Sequence, residues 1–137
     1  MSDKIKKFFE KDQFAAYIGA KLIEVKPGYA VATIEISDKH LNAVHIVQGG
    51  VIFTLADFAF AAASNSHGYV SLGINVNISY FKSSAKGTTL TAEAKEVSRN
   101  KKLANYDVDI FNEDRDLIAR FNGTAYIKKD KIEFLKP

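Results

Sequence analysis

No cysteine occurs in the 137 residues, which removes disulfides, a thiolate nucleophile and thiolate metal ligation from consideration. Long apolar runs are missing as well. None approaches the roughly 18 residues that span a bilayer, and the opening MSDKIKKFFEKD lacks the apolar stretch of a secretory signal. The expectation is a cytoplasmic chain with no membrane partner. Internal repeats, linkers and low-complexity stretches are absent, so residues 1–137 read as one domain, long enough to enclose a substantial core. There is no phosphate-binding loop and no dinucleotide fingerprint. His40, His45 and His67 stand at spacings that match no helical ligand pair, so neither a metal nor a cofactor is expected. Ser64, Ser66 and His67 do not sit on a strand–turn–helix elbow and read as surface residues rather than parts of a catalytic triad. What is present is ordinary globular composition, 47% hydrophobic and 26% charged with a net charge of +3. The lysines are scattered rather than massed, which favours a small anionic ligand over nucleic acid.

Formal charge is scarcest in the middle of the chain, where Asp57 is the only charged residue between Lys39 and Lys82. Around it, Val51 to Ala63 is apolar on every side except for Thr54 and Asp57. That pattern predicts one helix from near Gly50 to near Ser66, enclosed by the rest of the fold. A carboxylate there is costly to bury unless it is paired or hydrogen-bonded, and no basic residue lies close in sequence. Asp57 can bond Thr54 three residues back, reach solvent at a subunit seam, or serve as a functional acid. Gly49 and Gly50 lie at the predicted helix start, whose backbone N–H groups have no internal partner. Without a Cβ, a ligand can approach them closely, and such donors suit a developing oxyanion. A lone glycine pair is explained by turn geometry; joined to a sequestered acid, it points to a site.

The flanking stretches alternate as strands do. Lys21 to Lys26 and Tyr29 to Ile36 flank the turn signal Pro27-Gly28, with Ala30, Ala32, Ile34 and Ile36 on one face. Four more strands are predicted at Gly73 to Lys82, Thr88 to Val97, Leu103 to Phe111 and Leu117 to Lys128. In the third of these, Ala104, Tyr106, Val108 and Ile110 alternate with Asn105, Asp107 and Asp109, one face packed and one wet. Before the first strand, Lys4 to Tyr17 has helical spacing and predicts one or two short helices on the sheet's edge. The fold class is therefore α+β: a curved antiparallel sheet wrapped around one long central helix, with a short helical N-terminus.

Asn42, Gly49-Gly50, IFTLADFAFAAASNS and INVNISYFKSSAKGTTLTAEA resemble the hotdog-fold acyl-CoA thioesterases, in the branch around the phenylacetate-degradation thioesterase PaaI. The resemblance covers roughly residues 15 to 128, and its most specific part is the glycine pair and Leu55-Ala56-Asp57 at their spacing. The family pattern is Asn, a His six residues on, two glycines, and a catalytic Asp eight residues after the first glycine. Here those positions hold Asn42, Gln48, Gly49, Gly50 and Asp57, with Gln in place of the usual His and His45 where a glycine is common.

The resemblance implies hydrolysis of an aryl- or fatty-acyl-CoA thioester to free acid and coenzyme A. Asp57 would act as general base or nucleophile, the Gly49 N–H as oxyanion donor, Asn42 as orienter and Gln48 as an amide donor. It also implies a site completed across a homodimer, with dimers often paired into tetramers and Gly50 and residues near Gly73 to Asn75 on the substrate side. Lys82, Lys86, Arg99, Lys101 and Lys102 fall near predicted strand ends, where they can meet coenzyme A phosphates or form ordinary solvated turns. Two other readings remain open: an acyl-thioester hydratase or dehydratase using His45 with Asp57, and a hotdog module that binds acyl-CoA without cleaving it.

Overall fold

A computed structural model describes residues 1–134 of the chain. Two short helices come first, α1 (Ser2–Phe9) and α2 (Gln13–Ile18), where the sequence left one or two open. Asp12 caps α2 by accepting the Ala15 N–H at 2.9 Å, and Gly19 ends it in the left-handed region at φ 88°. The strands are β1 (Lys21–Lys26), β2 (Tyr29–Glu35), β3 (Tyr69–Tyr80), β4 (Thr89–Arg99), β5 (Leu103–Phe111) and β6 (Leu117–Lys131). They form one six-stranded antiparallel sheet in the order β1-β2-β4-β5-β6-β3.

The long helix is α3 (Gly49–Ser64), within two residues of its predicted ends. It packs against all six strands. Six strands about 4.8 Å apart span roughly 24 Å, about twice the width of a helix, so contact with every strand requires the sheet to curl around it. The predicted inward faces hold: Ala30, Ala32, Ile34, Ala104, Tyr106, Val108 and Ile110 are all buried, as are Leu55, Ala59 and Phe60 of α3.

Phe60 shows how close helix and sheet come. Its ring lies against the backbone at Gly73 of β3 and Gly123 of β6, where an added Cβ would stand 2.9 Å from it. At Gly123 the same Cβ would also meet Phe121 at 3.0 Å, so both large rings would have to move. The Gly123→Ala variant is therefore expected to lose about 1–3 kcal/mol of stability, read from the urea midpoint. Gly73 thus has a packing role that the sequence did not reveal.

The two edges of the sheet differ. β1 carries Lys21, Glu24 and Lys26 and a register shift between Leu22 and Glu24, features that discourage pairing with another chain. β3 also has register shifts, between Tyr69 and Ser71 and between Gly73 and Asn75, but it carries no charged residue: its outer edge is unpaired among the described residues and bears Leu72 (53% exposed) and Ile74 (60% exposed), with Phe81 (57%) just beyond.

At the far end of α3 a polar cluster ties the fold together. Glu96 accepts from the Tyr106 hydroxyl at 2.7 Å and pairs with His67 at 2.9 Å. Burial alone would raise the Glu96 carboxyl, but these two hydrogen bonds outweigh it and hold the group below its ordinary range. Burial, then the bond to Glu96, pushes the Tyr106 hydroxyl well above its usual value. The serines here correct the sequence reading: Ser64 and Ser66 are buried, and their hydroxyls donate to Ala61 O and Ala63 O.

Candidate active site

One stripe of α3 is less covered than the others. Gly50, Thr54, Asp57 and Ala61, at i, i+4, i+7 and i+11, are exposed or half-buried while most of the remaining helix is enclosed. Asp57 is exposed on this stripe, yet apolar neighbours crowd its other sides. Burial, with a smaller contribution from the Asp12 carboxylate, raises its pKa above the ordinary carboxylate range. The bond to Thr54 that the sequence allowed is not made, because the Thr54 hydroxyl donates to the Gly50 carbonyl at 2.8 Å. Among the described residues Asp57 has no hydrogen-bond or ion-pair partner.

Asp57 instead lies in a groove of ≈ 290 Å³ between α1, the second half of α3 and the first half of β3, with Gly73 on the opposite wall. The sequence expected Gly73 and Asn75 on the substrate side, supplied by a partner. Within one chain Gly73 already faces the groove of its own Asp57, whereas Asn75 is exposed on the edge strand.

The helix start forms a second group. Gln48 is the N-cap of α3, and its Oε1 accepts the Gly50 N–H. The side-chain oxygen expected to leave a free amide donor is thus held by the helix, with Nε2 remaining to donate. The Gly49 N–H has no acceptor among the described residues, and the Gly49 carbonyl accepts from the Tyr80 hydroxyl at 2.9 Å. Asn42 shapes the loop ahead of it, its Oδ1 accepting from Val44 N–H at 3.0 Å and Ile46 N–H at 3.3 Å.

His45 sits in this loop at φ 65°, so the left-handed turn a glycine would make is made by histidine. Relief of that backbone strain, less the extra freedom of an unfolded glycine, makes His45→Gly an expected gain of about 0.5–1 kcal/mol in a denaturant titration.

The structure does not bring Asp57 and Gly49 of one chain together. Eight residues along an α-helix is about 12 Å, too far for both to act on one carbonyl carbon. Nor does it unite the candidate phosphate ligands. Lys82, two residues beyond the end of β3, pairs with Asp116 at 2.7 Å, while Lys86 pairs with Asp38. Arg99 and Lys101 stand at the other end of the sheet, with Lys102, Lys128, Tyr69 and Tyr126, around a cleft of ≈ 620 Å³. Nη1 of Arg99 is buried there without a hydrogen-bond partner.

The histidines are dispersed. His40 is buried, accepting the Ser37 N–H through Nδ1, and His67 pairs with Glu96. No group of three potential metal-ligating side chains forms among the described residues. No helix among them is long and apolar enough to cross a membrane. What the sequence reading missed are Phe8 and Phe9, which line the Asp57 groove, and the Tyr80 bond to the helix start. Both phenylalanines also pack against the core, so their spacing carried no signal for the groove.

The family model of the thioesterase superfamily matches residues 45–119. A putative esterase of Archaeoglobus fulgidus is 42% identical over 127 residues, 92% of this chain and 82% of that protein. The acyl-coenzyme A thioesterase PaaI of Escherichia coli is 33% identical over 86% of this chain and 84% of its own length. The solved structure of E. coli PaaI superimposes with a TM-score of 0.90, covering 95% of this chain and 97% of that one. A Streptococcus mutans protein solved bound to acetyl CoA is 26% identical, with a TM-score of 0.79 over 82% of this chain and 91% of its own. With the helix, the open stripe and the glycine start in place, the chain belongs to the thioesterase superfamily, as a PaaI-like hotdog thioesterase.

Proposed function

We propose that the protein hydrolyses acyl-CoA thioesters at a site shared by two copies of the chain. The observation that carries this reading is a raised, unpartnered carboxylate on the uncovered stripe of an otherwise enclosed helix. A base with a pKa lifted toward the working pH is better matched to proton abstraction from water than an ordinary surface aspartate.

The need for a second copy follows from where the parts lie. Gly49 sits beside the last residue of β3, through Tyr80, whereas the Asp57 groove opens beside the first half of β3. Two β3 edges joined about a twofold axis run antiparallel, so each first half lies against the other's second half. That pairing carries Gly49 of the partner subunit toward Asp57, and the partner's Lys82 toward the Arg99 cleft. The uncharged β3 edge, with Leu72 and Ile74 exposed, suits such a joint. Sedimentation reads the dimer, and the pairing of dimers into tetramers with it.

In the reaction, Asp57 takes a proton from water as its oxygen attacks the thioester carbon. The carbonyl π-bond opens to an oxyanion held by the partner's Gly49 N–H, with Gln48 Nε2 and Asn42 Nδ2 beside it. Collapse restores the carbonyl, breaks the C–S bond and releases coenzyme A thiolate, which takes up a proton. Arg99 and Lys101, with Lys102 and Lys128, line one cleft and would meet the coenzyme A phosphates there. No other cofactor takes part.

The test is free-thiol release from a panel of acyl-CoA thioesters. Binding without thiol release would favour a non-catalytic module. Hydration of an enoyl-CoA without thiol release would favour the hydratase, although no hydrogen bond joins His45 to Asp57.

A further inference from the structure

We infer that Tyr80 is a positioning residue for the oxyanion donors. Its hydroxyl starts a chain of hydrogen bonds that runs through the peptide joining Gly49 to Gly50, reaches the Gln48 carboxamide, and both orients and polarises the Nε2 hydrogens. The inference rests on the thioesterase reading above and deepens it by adding a residue, at the end of β3, that touches no reacting atom.

The direction of each bond gives the first argument. The Tyr80 hydroxyl donates to the Gly49 carbonyl at 2.9 Å, since a carbonyl can only accept. That carbonyl shares a peptide unit with the Gly50 N–H, which donates to Gln48 Oε1. Oε1 in turn shares an amide with Nε2, so every bond runs one way, from the phenol to the free hydrogens of Gln48. An amide that accepts at oxygen becomes a stronger donor at nitrogen, and bonds linked in this way strengthen one another by about 10–30% each. Burial raises the Tyr80 hydroxyl above its ordinary pKa, which keeps it a donor at neutral pH.

The glycine pair gives the second. A Cβ on Gly50 would stand 2.6 Å from Gln48 Oε1, and one on Gly49 would stand 3.3 Å from the Tyr80 hydroxyl oxygen. Each glycine therefore leaves the space that one link of the chain occupies. Neither has a positive φ, so backbone conformation does not call for glycine at either position.

The anchoring of Gln48 gives the third. Its N–H donates to His40 O at 2.8 Å and its carbonyl accepts the Val51 N–H at 2.9 Å, which leaves only the side chain to be set. Among the described residues the Gly50 N–H is the one group that holds it.

The experiment measures kcat and KM, on the acyl-CoA cleaved fastest in the thiol-release panel, for the unaltered chain, Tyr80→Phe, Gln48→Met and the double variant. Phenylalanine keeps the ring against Gly49 and removes only the hydroxyl. Tyr80→Phe is expected to lower kcat by about threefold to tenfold, the contribution of one hydrogen bond, with KM unchanged. Gln48→Met removes the amide at similar length and should lower kcat by about 10²–10³-fold, as one lost oxyanion donor does. In that background Tyr80→Phe should have no further effect, because the group it acts through is gone. An equal loss from Tyr80→Phe in both backgrounds, or a change in KM alone, would overturn the inference and leave Tyr80 as a strut between β3 and α3. Should the unaltered chain cleave no thioester, the catalytic reading fails by itself. The chain of bonds is then judged by NMR of the isotope-labelled protein, where Tyr80→Phe should move the Gly50 amide and Gln48 side-chain proton resonances upfield. Gln48 protons that stay in place would sink it.

Discussion

Asp57→Asn is expected to lower thioester hydrolysis by about 10²–10⁴-fold, the range over which a positioned general base contributes, while coenzyme A binding persists. Loss of activity alone would also follow from a structural role, so stability separates the two. Burial raises the Asp57 carboxyl in the folded chain, so folding favours its protonated form. That preference contributes stability below the ordinary carboxylate range and is lost as pH rises through the raised pKa, leaving the ionised group unfavourable near neutrality. Asparagine carries no such penalty, and the variant should unfold at a higher urea concentration at pH 7 than the unaltered protein. An inactive variant that is also less stable would mark Asp57 as a structural residue, and a fully active one would remove it from the chemistry.

Ile74→Lys should have a comparably large effect by a different route. The side chain is 60% exposed on the unpaired edge of β3, so a lysine costs the single chain little. Across a joint between two such edges it places like charges about a twofold axis and blocks pairing. The expected product is a folded monomer, seen by sedimentation and circular dichroism. Under the proposed shared site, its turnover should fall by about 10²–10³-fold, because each Asp57 would lose the oxyanion donor of the other copy. A monomer that retains full activity would show that one chain holds a complete site. A dimer that survives the substitution would place the joint elsewhere.

Much of this was legible in the sequence where periodicity and burial agree. β2 and β5 have one packed and one wet face, so Ala30 to Ile36 and Ala104 to Ile110 announced themselves through strict alternation. α3 was legible for the opposite reason, since a helix apolar all round needs enclosure on most sides. β3 was harder: it starts at Tyr69, four residues before its predicted start at Gly73. Its early residues do not alternate because register shifts between Tyr69 and Ser71 and between Gly73 and Asn75 break the pleat, and the exposed positions of this edge strand include Leu72 and Ile74. The site was visible as residue types but not as distances. Asp57 and Gly49 are eight positions apart in the sequence and look like neighbours, until the helical rise separates them. Lys82 and Arg99 both lie near strand ends, but at opposite ends of the sheet. Phe8 and Phe9 fall within the predicted N-terminal helices, where nothing local distinguishes a residue that fills a core from one that walls a groove.

The carboxamide that closes the start of α3 has a kinetic corollary. Relatives with an imidazole at that position carry a group that titrates near pH 6.5, whereas Gln48 keeps the same charge at every physiological pH. In the proposed mechanism Asp57 is then the one side chain whose ionisation the proton abstraction requires, so kcat/KM plotted against pH should climb once and level off. Gln48→His should introduce a second inflection into that curve.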